Sequence, residues 1–193
     1  MIDSTAMHSI VTEILSVSRA INQNRNIEGV NLALMSEVGE LAEEIRIKEY
    51  PFHKKAGKDG IIGEAADVVI ATTDMIYISG QSELVDNEAY FFSYDADDEK
   101  YSGYVLGWTG EAIFGDDDIT TAQTLADMAT GSGAMFAIPF APDENKKLAL
   151  VGDAAAAILN AVMMLSRKEG FDFDEFAEII TDKLEKWKTN YSN

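Results

Sequence analysis

The chain has 193 residues, 47% of them hydrophobic, no cysteine and a formal net charge of -19. That length supports one good core, or one core with an appended subdomain, and the missing cysteines exclude disulfides, thiolate nucleophiles and zinc–thiolate sites together. So few Lys and Arg argue against a partner tracked along a nucleic-acid backbone, and a phosphate-bearing substrate is admitted only through bridging cations.

The amino-terminal stretch MIDSTAMHSIVTEILSV carries an acid and no basic segment, which predicts no secretory signal. Its apolar residues, among them Ile10, Val11, Ile14 and Leu15, recur at helical spacing and predict a helix from Ser4 to Asn22. A polar turn, NQNRNIEG, leads to a second helix over about Val30 to Ile47. EYPFHKKAGKDG breaks the pattern with Pro and Gly and reads as a loop. A third helix is expected from Ile61 to Ile78, stopping at Ser79-Gly80. Residues 81–145 have another character and read as an insertion on the helical scaffold. Within it AYFFSYDADDEKYSGYVLGW suggests a two-stranded hairpin, and DDDITTAQTLADMATGSG a short helix begun by an aspartate cap and ended by glycines. Two more helices follow, about Lys147 to Glu169 and Asp174 to Lys188, the last capped by Asp172 or Asp174. The longest apolar run, AAAAILNAVMML, is too short to cross a bilayer, so no membrane partner is expected. The expected location is the cytoplasm.

Four carboxylates carry the chemistry: Glu37 and Glu40 in NLALMSEVGELAEEIR, and Glu64 and Asp67 in GIIGEAADVVIATTDMIYIS. Residues three apart share a helical face, so each pair points two acids at one spot. Two such helices packed together bring four anions into a space that cannot hold them bare, and a hard divalent cation answers the need. Glu43, Glu44 and Glu49 read as solvated or paired. Asp74, seven residues beyond Asp67, is either an outer ligand or part of a polar patch between helices. His8 and His53 lack ligand spacing.

E-x-x-E, a loop, then E-x-x-D, embedded as SEVGELAEE and GEAADVVI, resembles the MazG-type all-α nucleoside triphosphate pyrophosphohydrolases. That superfamily also contains the all-α dUTPases and the phosphoribosyl-ATP pyrophosphohydrolases. The closing stretch KEGFDFDEFAEIITDKLEKW is similar to the family's lysine-bearing final helix. The resemblance implies an all-α, four-helix-type core, interrupted by a partly β or irregular insertion, that completes itself as a homo-oligomer (a dimer or tetramer). It further implies Mg2+, with Mn2+ as a substitute, bound by Glu37, Glu40, Glu64 and Asp67. Two departures stand out: Ser36 replaces an acid frequent before the first glutamate, and LALVGDAAAAILNAVMML echoes the second carboxylate helix with Leu150 in the glutamate place and Asp153 in the aspartate place.

The expected reaction converts a nucleoside triphosphate to the monophosphate and pyrophosphate, with Glu37 or Glu40 orienting or deprotonating the water. Lys54, Lys55 and Lys58 in the loop, and Lys183 and Lys186 on the last helix, are candidates for the triphosphate tail. Enzymes on the same scaffold act on dUTP, dCTP or phosphoribosyl-ATP, and some phage-encoded relatives remove particular purine deoxynucleotides. The alternative of another class is a non-enzymatic helical interaction protein whose acids merely solvate its surface.

Overall fold

GIIGEAADVVIATTDMIYI is apolar on almost every side, and a helix of that kind belongs at the centre of a bundle. The computed structural model, which describes residues 4–21, 24–50, 57, 59–81, 91–95, 100–105, 108–112 and 120–191, places it there. In chain order the helices are α1 (Ser4–Ala20), α2 (Ile27–Glu49), α3 (Gly60–Ile78), α4 (Thr121–Met135), α5 (Glu144–Lys168) and α6 (Phe173–Tyr191), with a short 3-10 turn at Ile138–Phe140. Helix α3 packs against α1, α2, α5 and α6, while α4 lies between α2 and α5. Ala65, Ala66, Val68, Val69, Met75 and Ile76 are at most 1% exposed, each large one contributing roughly 1.5–3 kcal/mol by its burial. The buried Thr72 and Thr73 hydroxyls donate to the Val68 and Val69 carbonyls one turn back, so polar groups enter this core satisfied.

Caps define the ends. Asn26 Oδ1 accepts from the Gly29 N–H at 2.7 Å and starts α2 earlier than its apolar spacing predicts. Gly80 at φ +78° turns the chain out of α3, where the Ser79-Gly80 stop was expected. Helix α4 is opened by a Thr120–Gln123 capping box and not by an aspartate, and it runs through Gly131 and Gly133 to Met135. The glycines do not end the helix, and Gly131 is a close packing contact: a methyl group there would lie 2.7 Å from Ile158 Cγ1. Asp143 caps α5, and Asp172 caps α6 by accepting from the Glu175 N–H at 2.9 Å.

Inside the insertion the expected hairpin is joined by a third strand. Phe91–Asp95, Lys100–Val105 and Trp108–Ala112 form an antiparallel sheet in that order, β1-β2-β3, with Phe91 opposite Tyr104 and Tyr101 opposite Ala112. The Gly and Glu of WTGEA are poor strand formers, and pairing with β2 overrides them. Helix α5 is long and apolar enough to cross a membrane by length and composition, a longer stretch than the run read from sequence; 61% of its most apolar window is buried inside the protein. Packing against α3 and α4 accounts for that composition.

Candidate metal centre

Helices α2 and α3 each present their carboxylates from one face, and packing the two faces together joins the pairs. Oxygens of Glu37, Glu40 and Glu64 all lie within 4.8 Å of one another. A second group, Asp59, Glu64 and Asp67, meets the same limit, so Glu64 belongs to both. With Asp59 added, the four expected acids therefore fall into two overlapping triads and not one nest. Glu40 is exposed, whereas Glu37, Glu64 and Asp67 are half-buried. Ser36 Oγ sits 3.4 Å from Glu40 Oε1.

The second triad already holds a cation. Lys183 Nζ donates to Asp59 Oδ2 at 2.8 Å and to Asp67 Oδ2, with its side chain only 10% exposed. The sequence expectation of a lysine for the triphosphate tail is thus modified: in this structure its ammonium bridges two acids. Gly63 makes the bridge possible, since a Cβ there would come within 2.7 Å of Asp59 Cβ and 3.6 Å of Lys183 Cε.

The energetic state of the acids follows from that arrangement. Burial, and then the charges of Asp67, Glu40 and Glu64, push the Glu37 carboxyl up from 4.5 to about 7, with Lys183 pulling the other way. Glu64 and Asp67 are also raised, each mainly by burial, against the lowering effect of Lys183. For Lys183 burial favours the neutral amine, but the hydrogen bonds to Asp59 and Asp67 prevail and raise its pKa. Bare, the carboxylates are electrostatically frustrated; three or more carboxylate oxygens at this spacing are the donor set of a hard divalent cation.

A cavity of about 700 Å³ adjoins the acids, lined by stripes from three helices. Asn26, Val30, Ala33 and Glu37 supply the stripe on α2. Helix α3 contributes Asp67, Ile70, Ala71 and Asp74, and α6 contributes Lys183, Trp187 and Asn190. Each stripe repeats at three or four residues, the spacing of one helical face.

Other expected residues fall elsewhere. Lys54, Lys55, Lys58 and His53 lie outside the described residues, as does the side chain of His8. Lys186 is exposed and does not line the cavity. Asp153 is exposed on α5 and belongs to neither carboxylate group, which leaves the α5 echo without a ligand there. Asp74 sits in a polar patch between helices: both its oxygens accept from Arg25 Nη1 at 2.7 Å, and Ser18 Oγ donates to Oδ1. Glu43 pairs with Arg46, and Glu49 is exposed, as expected. Glu44 is not solvated; it is 7% exposed and accepts the Gly57 N–H at 2.5 Å.

Sequence reasoning missed Asp59, Arg25 and Trp187. Asp59 sits in the loop ahead of α3, where no helical period connects it to Glu64. Trp187 and Asn190 were legible in principle, four and seven residues beyond Lys183 on one helical face. No protein-family model, curated protein or solved structure matches this chain.

Proposed function

We propose that this protein hydrolyses a nucleoside triphosphate to the monophosphate and pyrophosphate, using magnesium or manganese held by Glu37, Glu40, Glu64 and Asp67, as the MazG-type enzymes it resembles do. The observation that carries the reading is the convergence of Glu37, Glu40 and Glu64 oxygens within 4.8 Å beside a cavity that Glu37 and Asp67 line. Solvated surface acids have no reason to gather there, at the cost in ionisation that Glu37 and Glu64 bear. When bound, a divalent cation supplies neutralisation of phosphate charge and a more acidic water.

The chain's own residues do the rest. Glu37 or Glu40 is the candidate to orient or deprotonate the water, and Glu37, half-buried and lining the cavity, is the better placed of the two. Water oxygen bonds to one of the two phosphorus atoms flanking the α–β bridge, the bridging P–O bond breaks, and its electron pair leaves with the departing phosphate group. Glu37 takes the water's proton. Lys183 stays protonated and ties Asp67 to Asp59, holding Asp67 in place beside the cavity.

The test is turnover of the eight common NTPs and dNTPs with Mg2+ or Mn2+, products resolved into pyrophosphate and phosphate. Pyrophosphate release, abolished in Glu37→Gln, is the expected result. No release with either metal, together with unchanged magnesium affinity in Glu40→Gln, would discard the reading in favour of an interaction protein.

A further inference from the structure

We propose that the end of the cavity away from the carboxylates reads the nucleobase, with the Arg25–Asp74 pair and Asn190 discriminating between bases and Trp187 flanking the ring. This rests on the triphosphate reading of the carboxylate end. From Asp67 to Asp74 on α3, and from Lys183 to Asn190 on α6, the lining advances seven residues, about 10 Å along each axis. Over that distance the chemistry changes. One end holds Glu37, Asp67 and Lys183; between lie the apolar Ile70 and Ala71; the far end holds amides, an indole and a neutralised ion pair.

The ion pair is the specific part. Arg25 Nη1 binds both oxygens of Asp74 at 2.7 Å, while Nη2 donates to the Ser18 carbonyl at 2.7 Å and to Ser18 Oγ at 3.1 Å. Its side chain is 14% exposed and that of Asp74 9%. A guanidinium whose charge is already matched offers a phosphate little, yet it remains a rigid, oriented polar group beside a neutral ligand. Arg25 and Asp74 both line the cavity, so their fixed dipoles face whatever enters. Asn190 adds a donor and an acceptor on one side chain, the equipment for reading a heterocycle edge. A flat, uncharged, polar ring suits this end, joined to an anionic tail at the other.

The experiment compares kcat/KM across the eight triphosphates for wild type, Arg25→Lys and Asn190→Ala, with magnesium affinity measured by calorimetry in each. Wild type should rank the bases over at least roughly 100-fold, because polar sites left unpaired by a wrong ligand reject it strongly. Asn190→Ala removes an exposed side chain and should fold; Arg25→Lys keeps the charge and loses the fork. Each should shrink the ranking by about tenfold, the scale of a lost hydrogen bond to a charged or well-placed group, through KM for the preferred base and with magnesium affinity unchanged. Pyrophosphate release with equal efficiency for every base, or a ranking that neither variant alters, overturns this inference and leaves the hydrolase reading standing. Absence of turnover on all eight removes both.

Discussion

Lys183 on the last helix donates a hydrogen bond to Asp67 on the central one, across 116 residues of sequence, and to Asp59 at the entrance to the same helix. The carboxylate site thus contains a fixed internal cation. Its side chain is 10% exposed and its ammonium engages two acids of the second triad, Asp59 and Asp67, next to the first triad of Glu37, Glu40 and Glu64.

Lys183→Met keeps most of the stem's packing and deletes the charge, leaving Asp59, Glu64 and Asp67 to repel one another. Metal-free protein should lose about 1–3 kcal/mol, less than for a fully buried pair because Asp67 is partly exposed. Thermal unfolding then shows a Tm lower by several degrees. Saturating magnesium should recover part of that loss, and pyrophosphate release should fall at least tenfold. A variant with wild-type Tm and turnover would mean the pair is ornamental.

Glu64 belongs to both triads, so Glu64→Gln should weaken magnesium binding more than Glu40→Gln, which touches one. The loss should reach at least the roughly 10–100-fold typical of losing even an outer partner of a metal ligand. Because burial, ahead of the neighbouring acids, raises the Glu64 pKa, its neutral replacement avoids the cost of burying a charge. Metal-free Glu64→Gln should therefore melt at or above wild type while its magnesium-induced shift disappears. Calorimetry and paired melts read both effects.

The Glu37 carboxyl sits at about 7, above its ordinary value of 4.5. Between those values the folded chain keeps a proton that the unfolded chain has lost, so stability falls as pH rises through this window. Metal-free protein should melt a few degrees lower at pH 8 than at pH 5 from this group. Magnesium should raise Tm at pH 8 and have little effect at pH 5, because binding there must displace the proton. Glu37→Gln should flatten the metal-free difference. An unchanged slope in that variant would assign the pH dependence to other acids.

Gly131 and Gly133 lie on the same helix with opposite demands. A Cβ on Gly131 would meet Ile158 Cγ1 at 2.7 Å and the Ala154 carbonyl oxygen at 2.8 Å, whereas one on Gly133 meets nothing within 4 Å. Gly131→Ala should destabilise by about 1–3 kcal/mol as α4 is forced off α5. Gly133→Ala should stabilise by up to about 1 kcal/mol through helix propensity. Denaturant melts of the pair test the packing of α4 on α5, with magnesium affinity unchanged in both.

The helices were legible because their signals are local. Apolar residues recurring at Ile10, Val11, Ile14 and Leu15 mark the buried face of α1, and Ser79-Gly80 marks where α3 ends. The start of α4 was misplaced for a related reason: three aspartates look like caps, but Thr120 has the partner, Gln123, that closes a capping box. Side-chain reciprocity of that kind is decided by geometry.

Spacing alone put Glu37 with Glu40, and Glu64 with Asp67, since residues three apart on a helix must share a face. Whether the two pairs meet depends on how α2 and α3 pack, and no periodicity encodes that. Tertiary structure alone decided that Glu64 joins both triads, that Asp59 enters from a loop, and that Lys183 spends its charge on Asp59 and Asp67. It also decided that Asp74 turns to Arg25, 49 residues away, at the far end of the same cavity. Local chemistry is written at intervals of three and four residues; the balance of charge in a half-buried site depends on what folding brings from far along the chain, where burial makes each unmatched charge costly.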